Sequence, residues 1–351
     1  MKLKGISLFS GGGIGETYLN QLNLDIVVAN ELLEKRAMFY KEMNPNTDVI
    51  VGDIKEKYKE IIECGKKRNI DFILATPPCQ GMSTLGKKDY ENDFRNYLIN
   101  YAIKILKAFN FKFALIENVP KFLKLYYPYK GEYLQIDKIL EAELGDKYNI
   151  EPDILNVMNY GVPQCRPRSI IRIYRKDIEW SLPVKEKVIT LREAIGYLPS
   201  LESGEKSCIK YHYAPKHSDM HIEVMKHTPE GKSALTNDIY YPKKKNGEKV
   251  KGFHNTYKRM KWDEPAPTRA LNNGAISGHN NVHPGRLKSD GTYSDARVLT
   301  MLELFIVSSL PKNWNYPKKY SDSFIRQIIG EGVPPLFIKK ILGGINIYEL
   351  W

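Results

Sequence analysis

The chain has 351 residues, with 53 Lys and Arg against 41 Asp and Glu, a formal net charge of +12. Apolar residues make up 42% and charged residues 27%; that balance suits a chain with a buried core and excludes disordered and collagen-like classes. No apolar run approaches the roughly 18–20 residues of a membrane helix, the start lacks the apolar stretch of a secretory signal, and four cysteines without a CxxC pair are not a disulfide framework.

A reducing, cytoplasmic setting is therefore expected, and the positive balance favours a polyanionic partner, nucleic acid first. In chain order, Lys4–Phe9 predicts a strand, the glycines after it a tight turn, and the residues up to about Leu22 a helix. Asp25–Ala29 is a second strand, Leu33–Met43 a helix, and Asp48–Val51 a third strand. Asp71–Ala75 and Phe113–Glu117 are a fourth and fifth, with helical periodicity over Asn96–Phe109 between them. Unbroken apolar runs such as DIVVA and DFILA suit parallel strands buried on both faces. Strands alternating with helices predict a doubly wound, mostly parallel α/β sheet, which Ile154–Val157 and Ser169–Tyr174 would extend. Residues 181–295 then lose the alternation and are rich in Pro, Gly, His, Asn and Lys, which predicts a smaller, irregular second domain. Within Lys243–Lys261 eight Lys or Arg face one acid, Glu248, with Phe253, His254 and Tyr257 interleaved. Helical patterning returns after Asp295. The expected division is 1–180 with 312–351 against 181–311.

Chemistry concentrates at the strand ends. Residues 7–15, SLFSGGGIG, follow a strand, and glycines there allow close backbone approach to a ligand. Glu31 ends the second strand, where a carboxylate can accept from ribose hydroxyls, and Asp53 ends the third, where it can accept from an adenine amino group; either could instead cap a helix. No phosphate-binding Lys follows the glycines, and the spacing is not GxGxxG, so a nucleoside cofactor without a pyrophosphate fits better. Cys79 stands after two prolines at the end of the fourth strand; Cys64, Cys165 and Cys208 lack that setting. Glu117 ends the fifth strand. Arg166 and Arg168, two apart, share one face of an extended segment. Cys208, His212, His217 and His221 have C-x3-H and H-x3-H spacing that zinc could use, but the flanks are not finger-like and no metal is expected. His217-Ser218 instead opens a short helix ending before Pro229.

Taken together these segments resemble the cytosine-5 DNA methyltransferases that use S-adenosylmethionine. F-S-G-G-G is similar to their first motif, A-N-E-L to the second, G-D-I to the third and P-P-C-Q-x-x-S to the nucleophile motif. D-F-R-N-Y-L (93–98), E-N-V and N-Y-G-V-P-Q-C-R-P-R follow in the family's order, then R-V-L-T-M-L-E (297–303) and I-G-E-G-V-P-P (329–335). Ser7 stands where the family often has Asp, Thr76 where it has Gly, and Glu331 where it usually has Asn.

The resemblance implies a Rossmann-like catalytic domain and a target-recognition domain. Cys79 would be the nucleophile, with Glu117, Arg166 and Arg168 as its catalytic partners: Glu117 at N3 of the base, Arg168 at O2, and Arg166 in support or on a phosphate. Phe9, Ser10, Gly11, Gly12, Gly13, Ile14, Gly15, Asn30, Glu31, Leu32, Asp53, Ile54, Pro78, Leu98 and Glu331 would bind S-adenosylmethionine, with S-adenosylhomocysteine as product. The loop Gln80–Asn92 reads as a mobile, basic lid. Ser83, Lys87, Lys88, Arg95, Lys243, Lys244, Lys245, Arg259 and Arg269 would contact double-stranded DNA, and Asn237, Asn255, Asn272 and Asn273 could read bases. The expectation is a monomeric, nucleoid-associated enzyme, soluble and free of membrane, that methylates a flipped-out cytosine and is paired with a cognate restriction endonuclease. The alternatives are a tRNA methyltransferase of the same fold and a catalytically dead DNA-binding paralogue.

Overall fold

A computed structural model describes residues 2–78 and 97–346. Ser83, Lys87, Lys88, Arg95 and the nucleophile candidate Cys79 lie outside the described residues, as does the Gln80–Asn92 loop. The chain divides into two compact units, Met1–Asn156 with Pro167–Val184 and Ile338–Trp351, and Val157–Arg166 with Lys185–Phe337. Residues 157–166 and 312–337 thus fall with the second unit, where the expected division put them with the first.

The first unit is built on a mixed α/β sheet. Its parallel strands are β1 (Leu3–Leu8), β2 (Leu24–Glu31), β3 (Asp48–Val51), β4 (Phe72–Ala75) and β5 (Phe113–Asn118). A small antiparallel hairpin, β6 (Tyr126–Tyr129) and β7 (Glu132–Gln135), follows, then β8 (Tyr148–Asn156). The second unit contributes β9 (Gln164–Cys165), and the first resumes with β10 (Pro167–Arg175). Among the described residues the main sheet has seven strands in the order β3-β2-β1-β4-β5-β10-β8, with β10 antiparallel to both neighbours. The expected extension of the sheet by two later strands is therefore present; β10 runs against the parallel strands, and β8, antiparallel to β10, runs with them. Helices α1 (Glu34–Met43), α2 (Ile54–Lys66), α3 (Ile99–Lys107) and α4 (Ile136–Leu144) connect the strands.

The order places β1 at the point where successive crossovers reverse direction: β2 and β3 lie on one side and β4 and β5 on the other. The crevice at the carboxyl ends of strands at such a point is where open α/β sheets bind ligands. The core is mostly aliphatic, including Ile6, Val28, Ile73, Ile116 and Ile171, with Phe111, Phe122, Tyr127 and Tyr148 among them. Phe72 and Phe113 stack at 5.2 Å between ring centroids. Position 5 must be glycine because a Cβ there would lie 2.3 Å from the Phe72 ring.

The helix expected up to Leu22 does not form. Two 3-10 turns, Ile14–Glu16 and Leu19–Leu22, take its place. Gly13 holds φ +71° before the first turn, and Thr17 Oγ1 donates to the Ile14 carbonyl at 2.7 Å; such local side-chain bonds compete with a regular helix.

The second unit is irregular, as composition predicted. It holds α5 (Leu191–Ile195), α6 (Asp219–Lys226), β11 (Ala266–Pro267) paired to β9, α7 (Met301–Val307) and α8 (Asp322–Glu331). The last helix, α9, spans Pro335–Leu342. Ser218 caps α6, accepting from the His221 amide, so the short helix expected there is present.

Candidate active site and DNA-facing residues

Three loops of the first unit meet at the carboxyl edge of β1, β2 and β3. Phe9 leaves β1 with φ +59°, a strained value for an aromatic residue. Thr76 holds it there: its amide donates to the Leu8 carbonyl at 3.2 Å and its Oγ1 to the Phe9 carbonyl at 3.0 Å. Threonine in place of the family's glycine thus has a structural use. The Ser10 amide donates to the Asn30 carbonyl, and the Gly52 amide to the Glu31 carbonyl, both at 3.0 Å. Asn118 Nδ2 donates to the Pro77 carbonyl at 3.1 Å, joining the ends of β4 and β5.

Glu31 is at the centre of this edge. Its Oε2 accepts from the Gly11 amide at 2.9 Å and its Oε1 from the Leu33 amide at 3.0 Å. Gly11 holds φ +55°, and a Cβ added there meets nothing within 4 Å, so open space lies over the loop. Leu32 is 57% exposed beside it. Asp53 caps α2 by accepting from the Lys55 amide through Oδ1 at 2.9 Å, while its Oδ2 makes no hydrogen bond among the described residues. A buried carboxylate under a glycine turn with open space over it, an exposed apolar side chain beside it and a second carboxylate on the next strand end suit the hydroxyls, ring and amino group of a nucleoside.

Other predicted residues serve the frame. The Asn30 side chain is buried and donates to the carbonyls of Ile50 at 2.9 Å and Gly52 at 3.1 Å. Ile14, Ile54 and Leu98 are buried apolar side chains. Gly13 lies against Tyr40, whose ring carbon Cε2 would be 2.9 Å from an added Cβ. Gly12, Gly15 and Pro78 are half-buried in the same loops.

Beneath the glycines lies a group that motif reading passed over. Glu16 accepts from the Ser7 hydroxyl at 2.5 Å and from the Tyr40 hydroxyl. Enclosure of its carboxyl raises its pKa to about 7, against the opposing pull of the two hydroxyl bonds. Burial, with Glu16 beside it, also pushes the Tyr40 phenol well above its usual range. The signal was present: Ser7 departs from the family's aspartate, and Glu16 is its partner.

At the end of β5, Glu117 pairs with Arg168 of β10, Nε to Oε1, at 2.8 Å. Their side chains are 9% and 12% exposed. Arg168 Nη1 also donates to the Pro167 carbonyl at 2.7 Å. Antiparallel pairing of β10 with β5 sets Ile170 opposite Glu117, which brings the start of β10 beside the carboxylate. In the second unit Arg166 is buried. Its Nη1 donates to the carbonyls of Arg269 at 2.9 Å and Gly330 at 3.0 Å, and its Nη2 to that of Glu331 at 3.1 Å. A buried guanidinium bonded to three carbonyls ties loops together; of the two expected alternatives, support or a phosphate contact, this speaks against the phosphate contact. Glu331 is the last residue of α8 and enters that tie through its backbone.

Two of the expected DNA contacts are corrected by burial. Arg259 is 0% exposed, and its guanidinium donates to the carbonyls of Met225, His283, Ser294 and Asp295. Arg269 is as fully enclosed and donates to the carbonyls of Pro267 and Asn280. Burial pushes both down to about 10. Neither can reach a base. Asn273 is also buried, bonded to the carbonyls of Ala270 and Arg326, and Asn237 Nδ2 is held by Thr228 and Tyr240. Lys243, Lys244, Lys245 and Asn272 are exposed. The Cys208/His212/His217/His221 set does not converge: His212 bonds Ser207, the His217 ring accepts from the Val298 amide, His221 lies against the Tyr257 ring and Cys208 is exposed. Among the described residues no His, Cys, Asp and Glu cluster could hold a metal ion.

The model of the C-5 cytosine-specific DNA methylase family matches residues 3–346. Type II methyltransferase M1.HgaI of Avibacterium volantium is 49% identical over 97% of each chain. Type II methyltransferase M1.HphI of Haemophilus parahaemolyticus is 28% identical, covering 97% of this chain and 86% of the relative. Among solved structures, the Entamoeba histolytica methyltransferase EhMeth superposes with a TM-score of 0.67 at 15% identity, covering 98% of both chains. Spodoptera frugiperda DNMT2 superposes with a TM-score of 0.62 at 19% identity, covering 98% of this chain and 99% of that one. These two share the mixed α/β fold. With a family match over nearly its whole length and a relative at 49% identity, the chain belongs to the C-5 cytosine-specific DNA methylase family and is a DNA cytosine-5 methyltransferase.

Proposed function

We propose that this enzyme methylates C5 of a cytosine flipped out of a specific double-stranded DNA sequence, with S-adenosylmethionine as methyl donor, and protects host DNA from a cognate restriction endonuclease. Catalysis would lie in the first unit and target reading in the second. The observation that carries the reading is the Glu117–Arg168 pair at the carboxyl edge of β5, in the same sheet edge as the Glu31 crevice.

C5 of cytosine is a weak nucleophile. Cys79, in the sequence P-P-C-Q, would add as thiolate to C6 and give C5 enamine character. Arg168 would hold O2 of the base and, through Nε, keep Glu117 oriented. Glu117 would place a proton at N3, where negative charge develops as the thiolate adds. The cofactor, when bound, supplies a methyl group made electrophilic by a sulfonium. Glu31 would hold its ribose hydroxyls, Asp53 its adenine amino group, and Leu32 would lie against the ring. Loss of the C5 proton and elimination of Cys79 then restore the aromatic base. The target carbon is inside the stack, so the nucleotide must be extruded first. The Type II methyltransferases at 49% and 28% identity support the restriction–modification setting.

The test is transfer of a labelled methyl group from S-adenosylmethionine to unmethylated genomic DNA, read by bisulfite sequencing, with tRNA as the competing substrate. Methylation confined to cytosines in one short DNA sequence is expected. Cys79→Ser should abolish it while sparing cofactor binding, and 5-fluorocytosine in the target should trap a covalent protein–DNA complex, since fluorine cannot leave as the proton does. Transfer to tRNA alone, or full turnover by Cys79→Ser, would overturn the proposal.

A further inference from the structure

With Arg259 and Arg269 buried, base reading in the second unit needs other side chains, and one segment supplies a candidate. Residues 242–250 fold into a small antiparallel finger. The Val250 amide donates to the Pro242 carbonyl and the Lys244 amide to the Glu248 carbonyl, both at 2.8 Å, with Lys243 bridged to Lys249. The turn is closed by the Gly247 amide donating to the Lys244 carbonyl at 2.9 Å, with Gly247 at φ +86°. The finger carries Lys243, Lys244, Lys245 and Lys249, and Lys251 follows it; all five are exposed. Its one acid, Glu248, pairs with Lys244 at 2.9 Å. The ammonium groups of Lys243 and Lys249 sit over the Tyr241 ring at 5.3 and 4.6 Å.

At the base of this finger the chain makes a turn that projects Phe253. The Phe253 carbonyl accepts from the amide of Thr256 at 2.9 Å and from its hydroxyl at 2.7 Å. Gly252 is required beside it, because a Cβ there would lie 2.7 Å from Thr256 Oγ1. The turn is anchored from behind: Thr256 bridges to His279, and the Asn280 amide donates to the Asn255 carbonyl at 2.7 Å. The result is a phenylalanine 73% exposed, touched on one side by the His279 ring at 6.3 Å. A singly exposed apolar side chain is ordinary on a surface; what marks Phe253 is the braced turn that holds it and the run of lysines directly before it.

We propose that Phe253 is a specificity-determining contact to the bases of the target duplex, with the lysine finger on the adjoining phosphates. The inference rests on the reading of the second unit as the DNA-reading one. Charge complementarity selects the occupant: five lysines against one acid match a phosphate backbone, and the apolar ring matches what a groove offers once the phosphates are engaged, a thymine methyl or the face of an unstacked base. Lysines on flexible stems act as point charges on phosphates and carry no sequence information.

The test uses the full chain, S-adenosylmethionine and a duplex library randomised around cytosine, with methylated sequences read out by bisulfite sequencing. Phe253→Ala, Phe253→Leu and a Lys243→Gln/Lys244→Gln/Lys245→Gln variant are compared with wild type, with urea midpoints as the check on folding. Phe253→Ala should lose roughly 5- to 150-fold of the discrimination at one or two positions of the site, the cost of a lost base contact. Phe253→Leu should recover part of it, and the salt dependence of binding should be unchanged. The lysine variant should weaken binding to all sequences alike and lower the salt slope. An unchanged sequence spectrum for Phe253→Ala, an equal loss at every sequence, or a change in oligomeric state instead, would overturn the assignment. Wild-type protein that shows no sequence-specific methylation of duplex DNA would overturn the underlying reading and not merely the role of Phe253.

Discussion

Replacing Glu31 with alanine removes a carboxylate that is 5% exposed and already shared between the Gly11 and Leu33 amides. A hydrogen bond to a charged group contributes about 1.5–3 kcal/mol net. Part of the loss is structural, since the Gly11 amide leaves a left-handed turn without its anchor. The rest, on the proposed role of Glu31, is the lost acceptor for the ribose hydroxyls. Together they should weaken S-adenosylmethionine binding by about 2–4 kcal/mol, roughly 30- to 1,000-fold. The two parts separate in a cycle of four calorimetric titrations, wild type and Glu31→Ala, each with S-adenosylhomocysteine and with its 2′-deoxy analogue. If Glu31 holds the hydroxyl, the deoxy analogue binds wild type more weakly, and the variant no longer distinguishes the two ligands. An identical deoxy penalty in both proteins would refute the ribose contact and leave Glu31 as a brace for the glycine turn.

Glu16, with its pKa near 7 in the fold and 4.5 as the ordinary value, contributes stability that is complete below about pH 4.5 and lost as pH rises through 7. Glu16→Gln should flatten the urea-midpoint profile over that window, and an unaltered slope would exclude Glu16 as its source. Gly13→Ala should destabilise by about 1–3 kcal/mol, because φ +71° and a Cβ 2.9 Å from the Tyr40 ring both oppose it. Gly11→Ala, at φ +55° in open space, should cost only about 1 kcal/mol of stability but a larger share of cofactor affinity; equal effects of the two on stability would contradict the packing described. A double-mutant cycle of Glu117→Gln and Arg168→Ala should give a coupling of about 1–3 kcal/mol in unfolding, as expected for a nearly buried pair at 2.8 Å. Coupling under about 0.5 kcal/mol would mean that the pair does not hold Glu117 in place.

The parallel strands and the residues at their ends were legible in the sequence because both signals are local. A continuous apolar run such as Phe72–Ala75 can only be a buried element, and the acids Glu31 and Glu117 stand at the ends of such runs whatever the rest of the chain does. Cap chemistry is local too: Ser218 opens its helix as its neighbours predicted, and Asp53 makes the helix cap that stood as the alternative to its cofactor role. What failed to show depended on distant segments. Arg259 and Arg269 sit among lysines and asparagines in a polar stretch, and nothing in their flanks reveals that carbonyls from residues 225, 280, 283, 294 and 295 close around them. An arginine is mostly exposed by default, and only a surrounding set of acceptors makes its burial tolerable. The same holds for Arg166, whose partners lie more than a hundred residues away. Glu16 took its raised pKa from burial under the glycine loop, against the bonds from Ser7 and Tyr40, and the strand holding Arg168 took its direction from pairing with β5. The sequence by itself determined which side chains could do chemistry. The tertiary structure decided which of them are aimed at a ligand and which are consumed in holding the fold, because burial and hydrogen-bond saturation are set by the packing of remote parts of the chain.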